Sequence, residues 1–380
     1  MTPNTDANIS VQHTTAQRQE NFWSWIQQNV QQFTQNILEK ALQLQQDQQI
    51  QAGWNSRSDQ RKDYRNGFYP RQLVSPQGQL TIRVPRLRSG SLDCSDLFNA
   101  YQRRVDDVDR VIRHAYLLGA STRGTAQLAE QIFGGTLSHQ TVSQLMRWLD
   151  EQLTLWRQQP IEDVYKVVYV DGMHVDVLGQ DRMVMFAAGL QQADGRLEVL
   201  DFRVTRGEQP LELIQTLRKR GLETVNLIVS DNASSIRSAQ QQVYPEVPWQ
   251  SCVFHRLKGL REMLGAVEYR DEMVAQASRI FRHPSCQAAA DAGRVWFKRW
   301  RPVAPAAAMW FIDGLEDSLM FYTLPKDWWR RTRTNNPLER MIRTLRQRLR
   351  PMGCFHDPPA VERAVFGQLA RWHLLGTYTT

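Results

Sequence analysis

The spacing of apolar residues changes at Tyr165, and that change limits the fold more than any other feature of the chain. Before it, apolar residues recur every three or four positions. After it, Tyr165 to Val177, Arg182 to Leu190 and Arg196 to Thr205 read as strands, with polar turns at Gly179-Gln180 and Ala193-Asp194-Gly195. A helix follows from Pro210 to Arg220, then the apolar strand Val225 to Val229, then a helix from Asn232 to Gln242. Three hairpin-linked strands followed by helix, strand and helix predict an α/β fold, a mixed sheet with helices packed on it. Beyond Val253 the spacing is mostly helical as far as Leu375.

The N-terminal half reads differently. With 380 residues the chain is long for one domain, so two or three compact units are expected. From Asn21 to Gln51 a glutamine-rich helix carries one apolar stripe, Ile26, Val30, Phe33, Ile37, Ala41 and Leu44, suited to a partner chain or to the rest of the protein. Residues 54–90 alternate basic and aromatic side chains, among them Arg57, Arg61, Arg65, Arg86 and Arg88 with Trp54, Tyr64, Phe68 and Tyr69. Such interleaving suits a phosphate-lined groove, or simply a basic loop over a core, and only Leu80 to Val84 alternates as a strand. Three helices follow. One ends at Gly119, one is capped by Ser121 and stops at Gly134-Gly135, and one starts at Ser138 and runs through Leu149. A cap, a helix, a glycine turn and a second capped helix resemble a helix-turn-helix, with His139, Gln140, Ser143 and Gln144 on the reading helix and Arg123 near the backbone; ordinary helical pairs share the pattern.

Charge narrows the class. A net charge of +8 with pI near 9.5 draws polyanions, nucleic acid first among them, although solubility alone also accounts for it. No apolar run approaches the ~20 residues of a membrane span, and Met1 to Ser10 lacks a signal-peptide pattern. The cysteines, Cys94, Cys252, Cys286 and Cys354, are too sparse for a disulfide scaffold. A reducing cytoplasm is expected.

Two carboxylates stand where strands end. Asp171 follows Val167-Val168-Tyr169-Val170, and Asp231 follows Leu227-Ile228-Val229-Ser230. Neighbouring strands would bring both into the crevice where open α/β sheets bind ligands, within reach of one Mg²⁺; Asp231 also fits a helix cap. On a later helix Leu338, Met341, Ile342, Leu345 and Leu349 form an apolar face, and Glu339, Arg343, Arg346 and Arg350 form a stripe beside it. A glutamate among arginines can serve as a metal ligand next to phosphate, though a solvated salt-bridge face looks the same. Asp313, Glu316, Asp317 and Glu362 compete for that third place.

Taken in order, several blocks resemble the Mutator-type bacterial insertion-sequence transposases. They are Arg65-Asn66-Gly67-Phe68-Tyr69, Val84-Pro85-Arg86-Leu87-Arg88, Gly119-Ala120-Ser121-Thr122-Arg123, Leu137-Ser138, Val170-Asp171-Gly172-Met173-His174-Val175, Val229-Ser230-Asp231, Trp249 to His255, and Thr334-Asn335-Asn336-Pro337-Leu338-Glu339-Arg340. The resemblance covers Arg61 to His373. It implies a ribonuclease-H-like sheet with helices on both faces and an α-helical insertion, and an Asp-Asp-Glu site carried over as Asp171, Asp231 and Glu339. It further implies two Mg²⁺ ions per site (with Mn²⁺ as substitute), double-stranded DNA as partner (transposon ends and target), a homodimer on DNA, and no membrane or small-molecule substrate. The methionine-histidine pair after Asp171-Gly172 and Pro337 inside the last block depart from the family pattern without removing a ligand.

On this reading residues 1–53 serve dimerisation or DNA binding, 54–104 contact DNA, and 105–160 form the helix-turn-helix-like domain. Residues 161–250 and 334–380 make the catalytic core around a helical insertion at 251–333. The expected DNA contacts are Arg57, Arg61, Arg65, Arg86, Arg88, Arg123, His139, Gln140, Ser143, Gln144, His174, His255, Arg256, Arg333, Asn336, Arg340, Arg343 and Arg346. Cys252 and His255, with His283 and Cys286 at the reverse spacing, also fit a four-ligand zinc site; the favoured reading keeps His255 beside the carboxylates or on DNA. The expected chemistry is cleavage at a transposon end followed by strand transfer, in a cytoplasmic, nucleoid-associated bacterial enzyme. A ribonuclease-H-like nuclease and a non-enzymatic regulator are the alternatives.

Overall fold

The computed structural model describes residues 5–375 apart from Ala100, Asp163 and Glu208, with side chains from Gln17 onward except Arg18. The side chains of Met1 to Ser10, and the last five residues of the 334–380 segment, lie outside the described residues. Two compact units divide the chain, Met1–Leu145 and Met146–Thr380.

In the first unit, α1 (Thr5–Ile50) is a 46-residue helix, longer than the apolar stripe alone suggested. Neither glycine nor proline interrupts it before Gly53. The basic stretch after it forms a hairpin, β1 (Arg65–Ser75) paired antiparallel with β2 (Gly78–Leu87), where the sequence indicated one short strand. Pro70 and Pro85 lie inside these strands; in a two-stranded sheet each strand keeps a free edge, where a missing N–H breaks no ladder bond. The turn is closed by Ser75, whose Oγ accepts from the Gln77 N–H at 3.3 Å, and by Gly78 at φ 119°.

α1 lies on the hairpin through Leu42, which joins Leu73, Leu80, Ile82, Val84 and Phe98 in one core. Polar groups on the same helix face are satisfied across the contact. Buried Glu39 accepts two N–H bonds from the Arg83 guanidinium at 3.0 and 2.9 Å, and Gln46 donates to the Arg86 carbonyl at 3.0 Å. The packed face is therefore not the apolar stripe seen in the sequence: Val30, Phe33, Ile37 and Leu44 are exposed.

Three short helices complete this unit, α2 (Asp106–Leu117), α3 (Thr122–Phe133) and α4 (His139–Leu145). Ser121 caps α3, its Oγ accepting from Gly124 N at 3.0 Å, and Ser138 Oγ accepts from Thr141 N at 3.1 Å. Gly134 and Gly135, at φ 66° and 76°, take the left-handed backbone needed between α3 and α4. The helix expected to run from Ser138 through Leu149 is two, since α4 stops at Leu145 and α5 (Trp148–Gln158) belongs to the second unit.

The second unit is built on a sheet of β3 (Tyr165–Val177), β4 (Gln180–Gln191), β5 (Leu197–Thr205), then α6 (Pro210–Lys219), β6 (Leu227–Ser230), α7 (Ser234–Val243) and β7 (Trp249–Ser251). Among the described residues its strand order is β5-β4-β3-β6-β7. The first three strands are antiparallel, whereas β6 runs parallel to β3 and β7 parallel to β6. One face carries Val168, Val170, Met185, Ala187 and Ile228 against Leu213, Ile214 and Leu217 of α6 and Ile236, Ala239 and Val243 of α7. On the other, Phe202 stacks on Trp156 of α5 at 5.9 Å, and Trp156 meets Phe366 of a later helix at 5.8 Å.

After the sheet come α8 (Val253–Leu264), α9 (Arg270–Ile280), α10 (Cys286–Trp300) and α11 (Pro305–Asp313). Aromatic packing ties them together: Trp296 lies 4.6 Å from Phe311 and its indole N–H donates to the Met273 carbonyl at 3.1 Å. Short 3₁₀ turns lead to α12 (Trp329–Thr332), and the chain returns to the sheet as α13 (Asn336–Leu349) and α14 (Pro358–Arg371). Among the described helices none is long and apolar enough to cross a membrane.

Candidate active site

Register brings the two aspartates together. Val170 of β3 pairs with Ser230 of β6, so Asp171 and Asp231 follow at neighbouring positions on parallel strands. Strand alternation puts Asp171 on the same face as Val167 and Tyr169, opposite the α6–α7 core. Its Oδ1 accepts from the Gly172 N–H at 2.8 Å. Asp231 is not the cap of α7: that position is Ala233, and Asp231 Oδ1 instead accepts from the Ala233 N–H at 3.3 Å.

Glu339 reaches this place from α13. The segment before that helix is stitched to the strand ends: Tyr169 O–H donates to the Arg331 carbonyl at 3.1 Å, and Val253 N donates to the Arg333 carbonyl at 3.0 Å. Asn335 is fully buried, its Nδ2 donating to the Val170 carbonyl at 3.3 Å and its N–H to Cys252 Sγ at 3.2 Å. Cys252 N in turn donates to the Ser230 carbonyl at 2.8 Å. The Asn335 bonds end on the residue before Asp171 and on the Cys252 thiol, and the Cys252 N–H ends on the residue before Asp231. Glu339 then sits in the first turn of α13, after Pro337.

Electrostatics report the meeting. Burial above all, then the charges of Asp231 and Glu339, push Asp171 up to about 7, against the Gly172 N–H and the charge of Arg346. His255 Nδ1 lies 3.6 Å from Glu339 Oε1, and both atoms are buried without a hydrogen-bond partner. Carboxylate oxygens are the hard donors that Mg²⁺ or Mn²⁺ takes, and Glu339 Oε1 is one without a hydrogen-bond partner. Ligand atoms of Cys252, His255 and Glu339 also lie within 4.8 Å of one another, a group that does not include the aspartates. Cys252 is the weak member of that group, because its thiol accepts the Asn335 N–H and burial pushes it up to about 11. His283 and Cys286 are not in that group; the His283 carbonyl accepts from Tyr322 O–H at 2.8 Å.

The competing acids are engaged or placed elsewhere. Glu362 takes the Arg157 guanidinium at 3.0 and 2.8 Å, Asp317 pairs with Arg237 at 2.9 Å, and Asp313 and Glu316 are exposed at and after the end of α11.

Of the basic residues singled out in the sequence, Arg340, Arg343 and Arg346 are exposed along α13 and Asn336 is exposed at its start, whereas Arg333 is half-buried. His174 points to the face opposite Asp171 and bonds Asp181 at 2.8 Å. In the first unit Arg57, Arg86, Arg88, Arg123, His139, Gln140 and Gln144 are exposed and Ser143 is half-buried. Arg65 is committed internally to Asp47 and the Ala52 carbonyl, and Arg61 to the Ser56 carbonyl at 2.6 Å. A cavity of about 1700 Å³ in that unit is lined by Tyr69, Arg71, Arg103, Arg104 and Gln144.

Arg256 requires a correction. Expected on DNA, it is 3% exposed, donates to Asn232 Oδ1 at 3.1 Å and the Trp310 carbonyl at 3.3 Å, and lies 4.7 Å from the Trp310 ring. A Cβ on Gly314 would sit 1.9 Å from its Nη2, so that glycine makes the room. Arg256 fastens α8 to α11 and to the residue after Asp231. Arg256→Ala is expected to lose about 2–4 kcal/mol in urea unfolding while leaving the folded protein's DNA affinity within about twofold. Unchanged stability with weakened DNA binding would restore the surface role.

Sequence reasoning gave no role to Asn335 and did not see Cys252 as its partner. Their signal was their place inside the blocks Trp249 to His255 and Thr334 to Arg340.

Comparison with known proteins adds the following. The family described as "Transposase, Mutator family" matches residues 6–373. The chain is 31% identical over 327 residues to the transposase for insertion sequence element IS406 of Burkholderia multivorans, covering 83% of this chain and 82% of that one. It is 30% identical to the IS1081 transposase of Mycobacterium tuberculosis (85% and 79% covered), and 25% identical to the IS256 transposase in transposon Tn4001 of Staphylococcus aureus (89% and 88%). Among solved structures it is similar to the Drosophila P element transposase strand transfer complex, at TM-score 0.30 and 15% identity, covering 76% of this chain and 82% of that chain.

Proposed function

The chain belongs to the Mutator family of transposases, and from that membership and its clustered carboxylates we propose that it cuts and joins DNA at the ends of an insertion sequence. The observation that carries the chemistry is Asp171, held up to about 7 by burial and by Asp231 and Glu339. Carboxylates gathered from β3, β6 and α13 in this way call for a cation. The strand order β5-β4-β3-β6-β7, with three antiparallel strands followed by two parallel ones, supports a ribonuclease-H-like reading of the core. The glycine turn between capped α3 and α4 supports a helix-turn-helix reading, with His139 and Gln140 exposed at the start of the reading helix.

Asp171, Asp231 and Glu339 would hold two divalent ions, Mg²⁺ with Mn²⁺ as substitute. Bound there, the ions would supply activation of the attacking oxygen and charge neutralisation at the leaving one. In the first step a water oxygen attacks the phosphorus at the transposon end. A new P–O bond forms, the P–O3′ bond breaks, and the 3′-oxygen leaves as a hydroxyl. In the second step that 3′-oxygen attacks a target phosphodiester, loses its proton, and displaces the target's own 3′-oxygen. The exposed row Arg340, Arg343 and Arg346 meets the scissile strand's phosphates, and the work of the protein is positioning and charge compensation. Asn335 acts as a positioning residue, fixing the start of α13 to the carbonyl just before Asp171. His255 of α8 stands beside Glu339, its Nδ1 3.6 Å from Oε1. Two ends joined at one target imply two copies on DNA, in the cytoplasm of a bacterium.

The test uses purified full-length protein and DNA carrying the element's own ends. Chelation with EDTA is expected to abolish nicking and joining, and Mg²⁺ or Mn²⁺ to restore both. Full activity in EDTA, or restoration by Zn²⁺ alone, would overturn the metal assignment. Nicking without any joined product would favour a nuclease.

A further inference from the structure

α1 presents two faces, and the contacts within the first unit use only one. Leu42, Glu39, Gln46 and Ile50 are buried on the hairpin side. About 160° round the helix, at 3.6 residues per turn, lie Trp23, Ile26, Val30, Phe33, Ile37 and Leu44. The first five are separated by three, four, three and four residues, and Leu44 continues the heptad. Trp23, Val30, Phe33, Ile37 and Leu44 are between 46% and 66% exposed. We propose that this stripe is the surface through which two copies of the chain associate, α1 pairing with α1 of the second copy as a two-helix coiled coil.

Charge selects this occupant. The positions flanking the seam, Gln27, Asn29, Thr34, Asn36 and Gln43, are uncharged, and Lys40 is the one basic residue between 21 and 50. A DNA strand or an anionic membrane needs lysines and arginines along the helix, which this stretch lacks. Two chains of net charge +8 repel wherever basic surfaces meet, and this neutral stripe is where they approach without that cost. Glu39, the nearby acid, is already taken by Arg83. Lys40 falls in the seam, a polar position of the sort that sets register at some expense of stability. Trp23 and Phe33, each 66% exposed, offer the largest apolar area for a second copy to cover.

This deepens the reading that two copies act together on DNA, and its test is made without DNA. Light scattering on the full chain, eluted from a sizing column at tens of micromolar, is expected to give the dimer mass. Phe33→Glu with Ile37→Glu is expected to give the monomer with unchanged circular dichroism, because both residues are exposed in the single chain. Phe33→Leu with Ile37→Leu should remain dimeric. A monomeric wild type, or a Phe33→Glu/Ile37→Glu variant as dimeric as wild type, overturns the proposal. So does a loss of DNA binding in that variant with no change of mass, which would give the stripe to DNA. Asp171→Ala should keep the dimer mass while losing cleavage, so failure of the interface and failure of the catalytic reading give different results.

Discussion

Replacing Asp171, Asp231 or Glu339 singly with alanine is expected to lower end cleavage and strand joining by at least about a thousandfold. Divalent ions in such a site contribute several kcal/mol to the barrier, and about 4 kcal/mol corresponds to three decades in rate. End-DNA binding in a gel shift should stay within about twofold, because each substitution removes negative charge from a basic protein. The three effects should not add, since the carboxylates act as one unit. Asp313→Ala, an exposed acid at the end of α11, is the control and should leave the rate unchanged. A carboxylate whose removal costs less than about tenfold does not belong to the site.

The second large effect has the opposite sign. In metal-free protein at pH 8, Asp171→Asn is expected to raise stability. Asp171 is pushed up to about 7 when folded, against roughly 3.9 in an unfolded chain. Below about pH 4 both states hold the proton and the folded state bears no penalty. Between there and about pH 7 the unfolded chain loses its proton while the folded one keeps it, so stability falls as pH rises. Above pH 7 the penalty is constant. At about 1.4 kcal/mol per pKa unit the ceiling is about 4 kcal/mol, and partial exposure reduces it to about 1–3 kcal/mol. Asparagine removes the charge at every pH, so its advantage in EDTA should be small at pH 4.5 and full at pH 8. Adding Mg²⁺ should raise the melting temperature of the wild type and leave that of Asp171→Asn nearly unmoved. An equal loss of stability at both pH values would mean that Asp171 is neither buried with other acids nor poised for a cation.

The sheet of the second unit was legible because its core strands are simple: Val167 to Val170 and Leu227 to Val229 are apolar runs buried on both faces, and the turns between β3, β4 and β5 carry glycine or aspartate. The register that pairs Val170 with Ser230 is a property of the folded sheet. β7 was not legible because three residues cannot show a period, and its pairing to β6 exists only in the folded sheet. The hairpin β1–β2 was hidden by Pro70, Pro85 and a run of basic side chains that read as loop. In α1 the face packed within the chain is not the apolar one and could not be read: Glu39 and Gln46 are buried because Arg83 and the Arg86 carbonyl satisfy them, and both partners lie some 40 residues away. Arg256 was misjudged for the same reason, since its burial depends on Asn232, Trp310 and the bare Cα of Gly314. The places of Asp171 and Asp231 after their strands could be read in advance; the bonds of Asn335 to Val170 and Cys252 could not.

Manganese binding followed by electron paramagnetic resonance, on the full chain with end DNA, tests most directly whether β3, β6 and α13 assemble one carboxylate-lined cation site. Wild type is expected to bind two Mn²⁺ ions per chain with tens-of-micromolar affinity or better, and Asp171→Ala, Asp231→Ala and Glu339→Ala each to lose at least one. Equal Mn²⁺ stoichiometry and affinity in wild type and all three variants would contradict the account.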